Sequence, residues 1–532
     1  MFRSIHSKLR FWQLANHNGT DANHSGNSQS NLFDNLNKNL TALKGVFGNS
    51  YDLNMREFNF GDQGLTRGAI IFLSGMTDTA IINESIIKPL MYDIRLSSRQ
   101  DTSLLNNMSI IQTTLLTVGM VQKVSTINDV VDGCLSGKTI LLIDGSKEAL
   151  VIGTEGWETR GVDEPKTESV VRGPREGFTE NLLTNTTLLR RKIKNPNLTL
   201  ETMKIGERTK TIVCVAYLKD LVNPQLIKEI QRRLQRIKTD AILESGYIEQ
   251  FIEDAPFSIF STVANSEKPD LVAAKILEGR AAIFVDGTPF VLSVPMVFIE
   301  SFQSAEDYYS RPYFASVVRL LRLLAFLISI TSPAIYVALT TFHQELIPTS
   351  LLFTMAASEE GVPFPAMAEA LIMGTTFEIL REAGVRLPRP IGQAVSIVGA
   401  LVIGEAAVGA GIIGEPMVIV IALTAICSFV VPSQTDSGSI LRLILVLLAG
   451  AMGGFGIALG LMGTFIHLAS LRSFGTPYLS PFAPLSTQDL KDTFIRVPVW
   501  AMFTRPRTIG WHDPERQEFR LKPSHPSEED KS

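Results

Sequence analysis

Three carboxylates, Glu369, Glu378 and Glu405, stand in sequence too apolar to supply them with water. An acid near the centre of a bilayer costs a few kcal/mol. One that is kept there either lines a water-filled path, where it attracts cations, or is paired with a buried polar group. Both readings fit these three residues, which are the candidates for an ion pathway. Arg381 follows Glu378 by one helical step (i, i+3) and offers it a partner. Glu405 and Glu415 are the only Asp, Glu, Lys or Arg residues of Ile391–Val431. Glu359, Glu360 and Glu415 border Gly- or Pro-containing breaks and are expected at membrane interfaces.

The elements that carry these acids are long apolar runs. Ile391–Val431 is rich in Gly and Ala, and Leu443–Leu471 contains no Asp, Glu, Lys or Arg. A helical crossing needs about 20 apolar residues. Val317–Phe342 predicts the first crossing, with Arg319 and Arg322 at its start and Pro333 inside it. Leu346–Ala357 is too short to span alone. Ser358–Gly361 interrupts it, and Pro363 and Pro365 restart a helix to about Leu380. Such a break is tolerated only against protein or a water-filled cavity. The reading is a membrane α-helical domain, 311–471, of about five segments, one broken or re-entrant. Arg381, Arg386, Arg389 and Arg442 mark the cytoplasmic side. A single crossing by Leu443–Leu471 would put the tail, 472–532, outside, yet the tail is basic enough to belong inside. Either this segment is re-entrant or the segment count changes by one. Gly450 and Gly454 form a small-x-x-x-small pair for close helix contact, between copies or within the chain.

Ahead of the membrane domain the pattern is soluble α/β. Cys134–Leu150 and Ile276–Leu292 share a layout. Leu135, Gly137, Lys138, Asp144, Gly145 and Leu150 fall on Leu277, Gly279, Arg280, Asp286, Gly287 and Leu292, a constant shift of 142 (277 less 135). At the same shift Ala69–Asp78 falls on Thr211–Asp220. Asp-Gly between apolar runs predicts a hairpin. Two related subdomains, 32–165 and 195–310, are expected, joined by a basic connector, 166–194. Arg172 and Arg175 in that connector are candidates for a partner or anion contact, against a solvated linker as the plainer reading. Residues 1–31 are polar and aperiodic and read as a disordered segment.

A net charge of −4 carries no nucleic-acid footprint. Cys134, Cys214 and Cys427 are too far apart in sequence for a metal site or a disulfide framework. No nucleophile–base arrangement, phosphate loop or dinucleotide fingerprint is present, so no enzyme activity and no cofactor are expected. His343 and His467 are isolated and read as packed residues rather than proton switches. No export signal precedes the soluble region, which is expected on the cytoplasmic side.

With these pieces in place, the chain resembles the A subunit of the nutrient germinant receptors of spore-forming bacteria, the GerA family. The resemblance runs over about residues 50–500. It rests on Gln393–Phe429 above all, then Arg172–Asn185, Leu277–Pro295, Tyr309–Pro312 and Phe377–Pro388. Ser266–Asp270 and Gly414–Glu415 depart from the expected pattern, the latter by adding an acid. The resemblance implies a multi-pass protein of the inner spore membrane with its soluble region on the core side. It implies a complex with a permease-like B subunit, which binds the nutrient, and a lipoprotein C subunit. It also implies that this chain is the homo-oligomeric, cation-conducting component. A non-conducting scaffold or signal transducer is the alternative, and a secondary transporter is weaker because no inverted membrane repeat is visible.

Overall fold

The computed structural model describes residues 30–60, 66–93, 111–157, 165, 168, 170–386, 402, 404–509 and 514–517. The N-terminal segment, apart from residues 30 and 31, and the run 387–401 ahead of Glu405 lie outside the described residues. The chain divides into two compact units, one comprising 1–158 with 194–196, the other 159–193 with 197–532.

In the first unit, α1 (Leu36–Phe47) begins where Asn35 accepts a hydrogen bond from the Lys38 N–H, and it buries Leu36, Leu40, Leu43 and Phe47. The spacing of these residues gives one apolar face. Strands β1 (Leu53–Phe60), β2 (Thr66–Leu73), β3 (Val121–Val124), β4 (Thr139–Ile143) and β5 (Ala149–Ile152) form an antiparallel sheet of order β1-β2-β4-β5-β3. Helix α2 (Ile127–Leu135) packs on it through Val130, Val131 and Cys134. The helix-like run after Asp78 is one short α turn followed by π-type turns, Ile82–Ile87 and Pro89–Asp93.

The α/β part of the second unit repeats this plan. It comprises α3 (Leu182–Lys192), β6 (Leu198–Ile205), β7 (Thr211–Leu218), α4 (Pro224–Gln235), α5 (Ser245–Ile252), β8 (Ala264–Ser266), α6 (Pro269–Leu277), β9 (Ala281–Val285) and β10 (Val291–Val294). The sheet order is β6-β7-β9-β10-β8, the order of the first sheet. Both Asp-Gly turns bind their own first helix in the same way. Asp144 Oδ1 accepts from the Leu36 N–H at 2.9 Å, and Asp286 Oδ1 accepts from the Leu182 N–H at 3.2 Å. Gly145 and Gly287 adopt φ of 87° and 93°, which an L side chain rarely adopts, and donate to the Asp34 and Glu180 carbonyls.

The register corrects the sequence alignment of the repeats in one place. Gly68 pairs with Ile143 and Val213 with Val285, so β2 and β7 correspond at a shift of 145, not 142. The counterpart of Asp78 is Asn223 rather than Asp220, and each caps the helix after its strand. The segment taken as a connector, 166–194, supplies α3, the counterpart of α1. Its basic run is largely absorbed by the fold: Arg190 is buried, and Arg191 and Lys192 pair with Glu176.

The rest of the second unit is helical: α7 (Pro312–Thr341), α8 (Thr349–Glu359), α9 (Ala366–Arg386), α10 (Glu415–Phe429) and α11 (Thr435–Ser470). By length and composition Pro312–Thr341 and Pro432–Ser470 could each cross a membrane, and Glu415–Phe429 is a shorter apolar helix. The long α11 is a hairpin. Gly453 has φ 61° and ψ −142°, and beyond it the chain folds back. A Cβ on Gly460 would lie 2.6 Å from Leu445, and one on Gly456 would strike the Leu448 carbonyl. Near the two ends of α11, Ser437 donates to the Ile259 carbonyl and His467 bonds to Ser258, adjacent residues of one loop. A straight helix would hold Ser437 and His467 about 45 Å apart. The last apolar segment therefore doubles back at Gly453, and the residues that follow it pack on the second subdomain, where Ser473 accepts from the Met296 N–H and donates to the Thr262 carbonyl.

Gly453→Val should be among the most damaging substitutions in the helical region. Its backbone geometry belongs almost to Gly alone, at about 1–3 kcal/mol for other residues, and its Cβ would lie 2.8 Å from Phe342. Gly463→Ala, with nothing within 4 Å, is the matched control. Thermal unfolding of the detergent-purified chain should fall for the first and hold for the second. Equal behaviour would rule out the hairpin.

Candidate functional site

The three candidate carboxylates have three different environments. Glu369, on the first turn of α9, is 2% exposed. Its Oε2 accepts the Gly414 N–H at 2.8 Å, so it caps the N-terminus of α10, where a negative charge is favoured. Glu359, at the end of α8, approaches the same turn. A Cβ on Gly414 would lie 3.6 Å from both Glu359 Cγ and Glu369 Oε2. Tyr336 of α7 donates to Glu359 Oε1 at 2.9 Å. The helix break predicted at 358–361 therefore meets the turn that precedes α10: a Cβ on Gly411 (φ 63°) would lie 3.5 Å from the Gly361 carbonyl. Glu359, expected at a membrane interface, is half-buried and bonds to the buried Tyr336. Tyr336 was missed because a tyrosine in an apolar run gives no sign of its partner.

Glu378 is paired within the chain. It meets Arg381 at 2.8 Å, the partner anticipated by spacing, and also Arg442 of α11, while Ser439 donates to it at 2.7 Å. Arg442, read as a marker of the cytoplasmic side, is buried in this cluster. Glu405 differs. Residues 404–409 are helical, Gly404 is buried against Val418 of α10, and Glu405 is exposed on the surface of the single chain.

Gly450 and Gly454 are occupied within the chain. A Cβ on Gly450 would collide with Met367, and the Gly454 N–H donates to His343 Nε2 at 3.2 Å. Their tight approach serves the chain's own packing. Arg172 and Arg175 are exposed, and the Arg172 N–H donates to Glu306 at 3.3 Å. Between them, Gly173 lies flat against the Tyr309 ring, with a Cβ position 2.7 Å away. Tyr309 donates to Asp270, and Phe178 meets Phe284 edge-on at 5.4 Å. Of the segments carrying the resemblance, Arg172–Asn185 thus meets Tyr309–Pro312 through Gly173 and Leu277–Pro295 through Phe178.

The foot of α7 is an ionic cluster that the sequence did not reveal. Arg319 is 0% exposed and donates to Asp307 at 2.9 Å, to Asp492 Oδ1 at 2.8 Å and to the Thr493 carbonyl at 3.0 Å. Arg322 donates to both oxygens of Asp307 at 2.9 Å. Arg496 donates to the Ser310 carbonyl at 2.9 Å. The tail segment 489–497 therefore straps the start of α7 to the second subdomain. Next to it, Arg280 binds Glu300 at 2.5 Å and Glu278 at 3.3 Å. A cavity of about 80 Å³ lies among Glu278, Arg280, Glu300, Tyr308, Lys491 and Asp492. Among the described residues no group of three or more His, Cys, Asp or Glu side chains could hold a metal ion.

A profile described as Bacillus/Clostridium GerA spore germination protein matches residues 41–508. The chain belongs to the GerA family. It is 49% identical over 484 residues to spore germination protein KA of Bacillus subtilis, covering 91% of this chain and 88% of that one. It is 44% identical over 479 residues to the uncharacterized membrane protein YfkQ of the same organism (90% and 91%), and 40% identical over 484 residues to spore germination protein GerLA of Bacillus cereus (90% and 96%). The crystal structure of the N-terminal domain of the A subunit of the Bacillus megaterium spore germinant receptor GerK3 aligns at 37% identity and TM-score 0.40. It covers 51% of this chain and 98% of that one.

Two acids of the GerA chain's ionic cluster should respond oppositely to pH. Burial raises the Glu278 carboxyl above the usual range, against the pull of Arg280. Burial also pushes Glu300 up, but Arg280 and Lys275 outweigh it and hold the carboxyl below that range. A raised carboxyl loses stability for the fold as pH rises through its folded value. A depressed one contributes stability above the unfolded value, about 4.3, and loses it as pH falls through its folded value. Glu278→Gln should therefore raise the melting temperature near neutral pH, and Glu300→Gln should lower it. The Glu278 difference should vanish toward pH of about 4, whereas the Glu300 difference should persist there and shrink only as the pH falls further. Melting curves in which the Glu278 difference stays constant from neutral pH to about 4, or the Glu300 difference is lost before the Glu278 one, would count against these assignments.

Proposed function

We propose that this chain is the A subunit of a nutrient-sensing germinant receptor and forms the cation-conducting part as a homo-oligomer. In this reading it crosses the inner membrane of the spore several times, with its soluble subdomains and tail on the core side. A permease-like B subunit and a lipoprotein C subunit are its partners. Membership of the GerA family supports the germination role. The observation that carries conduction is the placing of Glu405. Glu369 and Glu378 find partners inside the chain, whereas Glu405 stands in apolar sequence and points away from it. Lipid is a costly neighbour for a carboxylate, so a water-filled path between copies is the favoured one.

The internal pairing of Glu369 and Glu378 favours one other reading, a transducer that carries no ions. Reconstitution separates them. The purified chain, in vesicles with its B and C partners, should assemble as a closed ring and release trapped potassium when nutrient is added. A monomer, or a ring that never releases the ion, would leave the transducer.

A further inference from the structure

The second subdomain carries three exposed aromatic residues on one helix and the loop that follows it, which Ser261 ties to that helix by donating to Glu249 at 2.7 Å. Phe257 is 100% exposed, Phe251 54% and Tyr247 46%. Tyr247 and Phe251 are one helical step apart on α5, whose adjoining face buries Ile248 and Ile252. Phe257 is not at a distant loop tip. The next residue, Ser258, bonds to His467 at 2.9 Å, and Ile259 accepts from Ser437, so Phe257 sits level with both ends of the α11 hairpin. Ala255 and Ile259, on either side of it, pack against the helical core. Arg472, just after the hairpin, is exposed. The nearby acid Asp254 is bound by Arg233 at 2.6 Å. Burial and Glu249 both push the Glu253 carboxyl up, toward its neutral form.

Aromatic rings beside an arginine, at the level where an apolar helix pair ends, have the chemistry of a membrane–water interface. We propose that Tyr247, Phe251 and Phe257 form an aromatic foot on which the second subdomain rests in the headgroup region of the bilayer that holds α11. The inference rests on the membrane reading of α11 given above. The foot fixes the height of the subdomain over the membrane, and through the 255–259 loop it ties that height to both ends of the hairpin.

The three native thiols are buried, so an engineered cysteine can be labelled selectively. Phe257→Cys, Phe465→Cys, Ile419→Cys and Lys147→Cys would be spin-labelled in the full-length chain and reconstituted in phosphatidylcholine–phosphatidylglycerol vesicles. Collision with oxygen, which favours lipid, is compared with collision with a water-soluble nickel chelate. Phe465 and Ile419, 63% and 68% exposed on α11 and α10, report lipid, and Lys147, exposed on the first subdomain, reports water. The oxygen-to-nickel ratio at 257 should lie between these two references. A ratio equal to that at 147 overturns the foot, and so does shielding from both reagents, which would mean that protein covers Phe257. If neither 465 nor 419 sees lipid, the membrane reading fails and the foot fails with it.

Discussion

Arg319→Met should destabilise the folded chain by about 3–5 kcal/mol, the usual cost of removing one partner from a buried ion pair. The guanidinium is the hub of three segments: Asp307 before α7, α7 itself, and Asp492 with Thr493 in the tail. It also lies over the Tyr308 ring at 5.3 Å. Methionine fills similar volume and leaves Asp492 and the Thr493 carbonyl without their donor, while Asp307 keeps Arg322. Arg319→Lys retains the charge but not the planar fork, so its loss should be intermediate. Two measurements check this. The melting temperature in detergent should fall in the order wild type, Lys, Met. Limited proteolysis should open the tail near 489–509 well before the sheets. A methionine variant that melts with the wild type and keeps its tail protected would show that the strap is held by other contacts.

Parts of both subdomains were readable because their signals are local. The Asp-Gly turns and the apolar runs of β4 and β9 follow from short-range chemistry, and the duplication is visible where the two repeats match best. The three-residue slip at β2 and β7 was not readable, because apolar strand residues align equally well at neighbouring shifts and only hydrogen-bond pairing fixes the register. In the helical region, Arg381 beside Glu378 was legible as an i, i+3 pair. Arg442, 64 residues from Glu378, was not, since its partner comes from another helix. The α11 hairpin was half legible. The basic tail left a re-entrant segment open beside a changed segment count, but nothing in a glycine-rich run marks Gly453 above its neighbours as the residue that turns. Arg319 and Arg322 read as charges guarding a membrane boundary, and their burial depends on acids 12 to 173 residues away.

Glu405→Lys should nearly abolish nutrient-triggered cation release while leaving the amount of protein in the membrane unchanged. In the proposed ring each copy contributes one carboxylate, and the substitution replaces a ring of negative charge by a ring of positive charge. At an effective dielectric constant of about 20, charges a few ångströms from a permeating ion act with energies of several kcal/mol. A rise of about 1.4 kcal/mol in the barrier already slows passage tenfold. Glu405→Gln keeps the volume and removes the charge, so flux should fall by less, roughly threefold to tenfold. Folding should be indifferent to both changes, because Glu405 is exposed on the single chain and Gly404 beside it makes the packing contact with Val418. Glu378→Gln should give the opposite signature. Its carboxylate sits between Arg381 and Arg442, and removing that charge leaves two neighbouring guanidinium groups without their common anion. Protein level should fall there, and any loss of cation release should follow the level. The experiment measures potassium released from spores after nutrient addition, together with the amount of the subunit in the spore membrane. Normal release with lysine at 405 and a normal amount of protein would remove this residue from the conducting path. A parallel fall in release and amount would make Glu405 a packing residue of the assembled ring.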